Sequence, residues 1–377
     1  MTTILPPQLS KSAHLMFLLL SISSILCSTT ALSTTQTRDY TILEVVPHSR
    51  TSFTQGLTLS PLTNTLYEGT GLTHQSKILQ HDPRNRMETV DTLNVHPGEV
   101  FGEGIAWYYV DQVNKESGEI NREYRLIQLT WKDGIGMIYK ITNNHNQNED
   151  YATNSGKQLP PSSLELIHTF PFTTHTNEGW GITFIPHKNE FYVSDGSEYL
   201  FVWDAITLEE KRRMPVLLDR NGSVVRLKYV NELEFVDFDR ECGGVVEWDV
   251  HEVYLEECRD GDDMEQQQEA CGGKEDVDAC VEYKNTAIKM NGGFTSTMSI
   301  LANVWYQDVL IRIDPVTAKV VKVYDLSSIY PHDQRRKDGA DCLNGIAVTG
   351  SKADEEGLEV WVTGKLWPNM YRIRLID

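Results

Sequence analysis

One short pattern recurs five times along the chain, and a chain built from copies of one small unit must stack those units to bury their apolar faces. The copies are Gln55-Gly56-Leu57-Thr58-Leu59, Glu103-Gly104-Ile105-Ala106-Trp107, Trp180-Gly181-Ile182-Thr183-Phe184, Asn231-Glu232-Leu233-Glu234-Phe235 and Asn344-Gly345-Ile346-Ala347-Val348. Each opens on a polar or aromatic residue, four of the five continue with Gly, and apolar residues then alternate. That period of two is the signature of a strand. A second strand-like run follows each copy: Leu66-Tyr67-Glu68-Gly69, Leu126-Ile127-Gln128-Leu129-Thr130-Trp131, Phe191-Tyr192-Val193-Ser194-Asp195-Gly196, Leu301-Ala302-Asn303-Val304-Trp305 and Val360-Trp361-Val362-Thr363-Gly364-Lys365. A third run closes each unit, beginning at Lys77, Met137, Tyr199, Val309 and Met370.

Several strands per repeat make blades, and helical periodicity is nearly absent, which excludes alternating strand-helix barrels and doubly wound sheets. The pattern predicts an all-β fold, a five-bladed β-propeller occupying residues 39–377, whose closure leaves no long exposed sheet edge. The alternating segment Asp39-Tyr40-Thr41-Ile42-Leu43-Glu44-Val45-Val46 is an extra strand, expected to complete the last blade from the opposite end of the chain. With 377 residues, 40% of them hydrophobic, the chain can bury a core of that size. Two segments interrupt the spacing, residues 143–161 and residues 237–291, and both read as surface loops because neither carries a core-forming apolar pattern.

The formal charge of −20 argues against a nucleic-acid partner, because phosphate neutralisation needs clustered Lys and Arg, and no basic run exceeds three residues. Near the N-terminus, Lys11 precedes the apolar run Leu15-Met16-Phe17-Leu18-Leu19-Leu20 and small residues ending at Thr29-Thr30-Ala31. This is the layout of a secretory signal peptide over residues 1–31, with an uncleaved signal anchor as the alternative. Either reading places the mature domain in a secretory lumen or outside the cell, and nothing after residue 40 is apolar enough to span a bilayer.

Of six cysteines, Cys27 would leave with the signal, and Cys242, Cys258, Cys271 and Cys280 fall within the acidic insertion. In an oxidising compartment that even set reads as two disulfides with three possible pairings. Zinc is the alternative, disfavoured because the spacings of 16, 13 and 9 residues contain no close pair. Cys342 is expected to be a buried, inert thiol. Asn221-Gly222-Ser223 is a glycosylation acceptor in pattern.

The innermost strand of each propeller blade lines the central channel, so residues at one register of the repeat converge in space. The converging residues are Gln55, Glu103, Trp180, Asn231 and Asn344, joined near the ends of the second strands by Trp131, Trp305 and Lys365. Aromatic walls with a few polar groups are the composition of a small-molecule pocket. Turn-forming polar residues and Trp packed between blades would account for the same pattern structurally.

At these positions Phe53-Thr54-Gln55-Gly56-Leu57, Phe101-Gly102-Glu103-Gly104, Glu178-Gly179-Trp180-Gly181, Asn231-Glu232-Leu233-Glu234, Ala302-Asn303-Val304-Trp305, Leu343-Asn344-Gly345-Ile346 and Val362-Thr363-Gly364-Lys365-Leu366-Trp367-Pro368 resemble the plant-type glutaminyl-peptide cyclotransferases, also called glutamine cyclotransferases. The likeness runs in order from about Tyr40 to the C-terminus, in all five repeats. It implies a five-bladed propeller that cyclises N-terminal glutamine of peptides to pyroglutamate with release of ammonia, using no metal and no cofactor. It puts Glu103 forward as general acid and base with Asn231 and Lys365 as catalytic partners. Phe53, Gln55, Phe101, Trp131, Trp180, Trp305 and Asn344 would then bind the substrate.

These residue types suit the chemistry. An α-amine, with a pKa of about 8, can reach the γ-amide carbon by closing a five-membered ring, so an enzyme needs mainly to fix the folded conformer. Trp rings can do this by stacking, adding roughly 1 kcal/mol of cation–π attraction while the amine is charged. A lysine or an amide stabilises the oxygen charge that develops on closure, and a partly buried carboxylate can carry the proton to the departing nitrogen. Two rivals stay open. A metal-dependent lactonase or quinone-dependent dehydrogenase would need several converging acids, whereas only Glu103 among the five is acidic. A non-catalytic propeller scaffold, monomeric like the enzyme, would keep the same pocket.

Overall fold

Alternation sends successive side chains of a strand to opposite faces, and here both faces are covered. The computed structural model of the chain describes residues 39–93, 99–113, 120–142, 163–237, 298–349 and 357–376. The signal segment, Cys27, residues 143–161 and, apart from Asp237, the insertion with its four cysteines lie outside the described residues.

The first strand, β1 (Tyr40–Pro47), belongs to the last blade. Blade one is β2 (Thr54–Leu59), β3 (Leu66–Thr70), β4 (Lys77–Asp82) and β5 (Glu88–Leu93). Blade two is β6 (Gly102–Val113), β7 (Ile120–Thr130), β8 (Ile135–Thr142) and β9 (Ser163–Pro171). Blade three is β10 (Ile182–Ile185), β11 (Glu190–Ser194), β12 (Tyr199–Asp204) and β13 (Glu210–Pro215). A hairpin of β14 (Leu217–Arg220) and β15 (Ser223–Arg226) leads to blade four, β16 (Val230–Asp237), β17 (Met298–Val304), β18 (Val309–Ile313) and β19 (Val320–Asp325). A short helix, α1 (His332–Asp338), precedes blade five, β20 (Leu343–Val348), β21 (Leu358–Gly364) and β22 (Asn369–Leu375). The five four-stranded sheets are meandering and antiparallel, and β1 closes the ring by pairing with β22 from Tyr40↔Leu375 to Pro47↔Asn369.

Adjacent blades share five apolar clusters, one at each interface. On β11, Phe191 and Val193 enter the cluster shared with blade two, while Tyr192 enters the one shared with blade four. On β17, Ile300 and Ala302 face blade three and Leu301 faces blade five. The seam between blades five and one is also polar. His48, just after β1, bonds Glu68 at 3.1 Å, His81 bonds the other carboxylate oxygen at 2.9 Å, and Thr54 donates to Glu68 at 2.8 Å. Burial opposes charge on His48, but Glu68 and the Trp367 carbonyl outweigh it and raise the imidazole pKa, and both oxygens of Glu68 are engaged in pinning the seam.

The glycines of the repeat have a spatial cause, because the innermost strands meet around the axis. A Cβ on Gly104 would lie 2.5 Å from the Trp180 carbonyl oxygen, and one on Gly181 would lie 2.1 Å from that of Asn231. In the fourth copy the place is taken by Glu232, which reaches across to blade one and accepts the Leu57 N–H at 3.1 Å, with a further backbone bond to Ile346. Burial, and Glu234 after it, push the Glu232 carboxyl well above the usual carboxylate range. Its raised folded-state pKa makes its contribution to stability full below the ordinary carboxylate range, and that contribution declines as pH rises. Glu232→Gln, neutral and similarly shaped, is expected to stay within about 1 kcal/mol at pH 5 and to remove part of the decline toward pH 8. Glu232→Ala orphans two N–H groups and opens a hole, costing on the order of 2 to 4 kcal/mol. Denaturant unfolding at the two pH values reads this, and equal declines in wild type and Glu232→Gln would assign the slope to another group.

Candidate active site

Four of the five innermost strands carry a register shift at the same point: Thr54/Gly56 on β2, Gly102/Ile105 on β6, Val230/Leu233 on β16 and Leu343/Ile346 on β20. A bulge frees residues from the ladder and re-aims their side chains. Gln55, Glu103, Asn231 and Asn344 lie inside these bulges, the last three followed there by Gly104, Glu232 and Gly345. In blade three Trp180 stands ahead of β10, its N–H bonded to the Ser194 carbonyl at 3.0 Å. Trp131, Trp305 and Lys365 are each the first residue after a second strand, β7, β17 and β21. Phe53 and Phe101 immediately precede β2 and β6, so the ten residues singled out from sequence lie at the starts of innermost strands or the ends of second strands, which antiparallel pairing puts at one end of the ring.

Contacts connect most of them directly. Gln55 donates to Glu103 Oε1 at 2.8 Å, and Asn344 donates to Gln55 Oε1 at 3.1 Å. The Lys365 ammonium lies 4.9 Å from the centre of the Phe53 ring, and Phe53 packs edge-on to Phe101 at 6.2 Å. Phe101 meets Trp131 at 5.4 Å, and Trp180 meets Trp305 at 5.5 Å. Trp305 is flanked by Tyr229 at 6.0 Å and Tyr306 at 4.7 Å. Phe53, Phe101, Trp131, Trp180 and Trp305 make an arc of half-buried rings with the exposed Tyr229 and Tyr306 at one end, while Glu103, Asn231, Asn344 and Lys365 are buried.

The Asn231 carbonyl accepts the hydroxyl of Ser194 at 2.6 Å, the residue that ends β11 and whose own carbonyl accepts the Trp180 N–H. Among the described residues the Asn231 Oδ1 is buried without a hydrogen-bond partner, as is the Asn344 Oδ1, and an orphaned buried acceptor costs stability unless a ligand donates to it. Lys365 is 6% exposed and has no carboxylate within 4.0 Å among the described residues. Its backbone is fixed by bonds to Cys342 and Asp341 at 3.0 and 2.9 Å. Burial raises the Glu103 carboxyl well above the usual range. Lys365 pulls it down in part and Glu178 pushes it further up. Among the described residues no cluster of His, Cys, Asp and Glu is disposed to hold a metal ion. Cys342 is buried and free, with burial raising its thiol pKa, which makes it unreactive.

Sequence reasoning missed Glu178. Its motif was visible, but it sits two residues before the register position that Trp180 occupies, so periodicity did not flag it. It also missed Tyr229 and Tyr306, which lie outside the repeat. A cleft of about 770 Å³ opens beside the arc between blades four and five, lined in part by Tyr306, Asp308, Arg335, Asp341 and Cys342.

A buried, weakened acid under an aromatic arc at the ring's mouth puts this molecule in the class of propellers that carry an enzyme pocket on their axis. The chain belongs to the glutamine cyclotransferase family, whose model matches residues 15–242 and 280–375. It is 26% identical over 337 residues to the glutaminyl-peptide cyclotransferase of Arabidopsis thaliana, covering 88% of this chain and 71% of that one. The crystal structure of Myxococcus xanthus glutaminyl cyclase shares the fold, with a TM-score of 0.51 and 22% identity over 90% of this chain and 97% of that one.

Proposed function

We propose that the protein is a glutaminyl-peptide cyclotransferase, an intramolecular aminoacyl transferase, with Glu103 as its proton carrier. The observation that carries the reading is Glu103 itself: buried, held by Gln55 at 2.8 Å, and raised by burial well above the ordinary carboxylate range, which suits a group that must take and return a proton. The arc from Phe53 to Trp305 folds the glutaminyl side chain back on its own amine and excludes water. The α-nitrogen attacks the side-chain carboxamide carbon, Cδ, a C–N bond closes the five-membered lactam, and Glu103 takes the proton that the nitrogen sheds. Lys365 stabilises the oxygen charge that builds up, and the free Oδ1 of Asn231 accepts an N–H of the substrate. Glu103 then protonates the departing nitrogen, the old C–N bond breaks and ammonia leaves.

Residues after the glutamine run into the cleft between blades four and five, which is lined in part by Tyr306, the neighbour of Trp305. The N-terminal signal pattern supports a lumenal or extracellular setting. So does Asn221, on the exposed turn of the β14–β15 hairpin, where a sugar would displace no protein. The test is ammonia release from a Gln-initiated peptide, matched by loss of one ammonia from its mass. Turnover of that peptide and none of its Ala-initiated counterpart is the expected result. No release from either would leave the scaffold reading standing.

A further inference from the structure

Glu178 lies on the loop between β9 and β10, its backbone held by Thr174, whose hydroxyl donates to the Glu178 carbonyl at 2.8 Å and accepts its N–H at 3.1 Å. One carboxylate oxygen, Oε2, accepts the indole N–H of Trp131 at 2.8 Å and that of Trp180 at 2.8 Å. The two rings come from different blades, Trp131 following β7 and Trp180 preceding β10. The other oxygen faces Lys132 at 3.3 Å, and the Lys132 ammonium lies 4.0 Å from the Trp131 ring centre. A Cβ on Gly196 would strike the Trp180 indole at 2.5 Å, so that ring is also packed from below. Two charge-assisted bonds to one oxygen remove the freedom of both indoles to swing independently.

Resting on the cyclotransferase reading, we infer that Glu178 is a positioning residue: it clamps Trp131 and Trp180 into one wall at the spacing the folded glutaminyl group needs, and sets its charge against that of Glu103. The charged groups that bear on Glu103 are Lys365 and Glu178, while Lys132 faces Glu178. Glu178 thus serves binding through the indoles and proton transfer through the field.

The two roles separate by substitution. Glu178→Gln keeps one oxygen able to accept both indole N–H groups but removes the charge, whereas Glu178→Leu removes both. Glu178→Gln is expected to hold KM within about 2-fold and to move the acidic limb of kcat/KM down by roughly half a pH unit, because a like charge near Glu103 is gone. Glu178→Leu is expected to raise KM about 10-fold or more. In that variant the two indole N–H signals shift and exchange faster in the NMR spectrum. A pH profile and KM unchanged in both variants would overturn the inference, even if thermal stability fell, since that would mark a purely structural contact. An inactive wild type sinks the cyclotransferase reading alone. The clamp is then judged on the indole N–H signals, and signals unmoved in Glu178→Leu would overturn it.

Discussion

Glu103→Gln is expected to lower kcat on a Gln-initiated peptide by about 100-fold or more while leaving KM near the wild-type value. The carboxyl is 4% exposed and its pKa is raised, so a neutral amide is a small perturbation to folding. The amide oxygen can still accept the Gln55 N–H that now bonds Oε1 at 2.8 Å. What disappears is the ability to take a proton from one nitrogen and return it to another. The wild-type kcat/KM should rise with pH as Glu103 ionises, through a value above the ordinary carboxylate range, and the variant should lose that limb. Initial rates across pH, with a melting curve to verify folding, read both. A variant within a few-fold of wild type at every pH would remove Glu103 from proton transfer.

Lys365→Met is expected to cost about 100-fold to 1000-fold in kcat, the scale on which a single donor to a developing oxyanion is felt. The ammonium is nearly buried, lies against Phe53 and has no carboxylate partner within 4.0 Å among the described residues, so its charge is uncommitted before substrate arrives. Met fills similar volume against the ring without charge. A second signature separates this from a folding defect. Lys365 pulls the Glu103 pKa down, so its loss should move the acidic limb of the profile to higher pH, opposite in sign to Glu178→Gln. A kcat within about 3-fold of wild type would leave the oxyanion to another donor.

The inner part of each blade was readable because its strands are buried on both faces and open on the same short pattern in each repeat. Outer strands were not: β13 reads Glu-Lys-Arg-Arg-Met-Pro and is largely exposed, so its alternation carries no hydrophobic signal. Asn221-Gly222 was read as part of a glycosylation pattern, yet the two residues also form the tight turn of the β14–β15 hairpin, with φ of 56° and 86°, as Asn-Gly does between paired strands. The α1 helix escaped notice because seven residues are too few to show a 3.6-residue period. The candidate site residues Gln55, Glu103, Asn231 and Asn344 share one register, which four bulges preserve from blade to blade.

The chain's own order of residues settled the number of blades, the strands that line the axis and the side chains each one presents there, because pleating is local and repeats every two residues. Which of those side chains meet was decided only on closure of the ring. Gln55 reaching Glu103, Glu232 crossing from blade four to blade one, and Trp131 reaching the Glu178 oxygen that also holds Trp180 all join residues tens of positions or more apart. Those distances depend on how bulged strands converge on an axis, and no local period encodes that convergence.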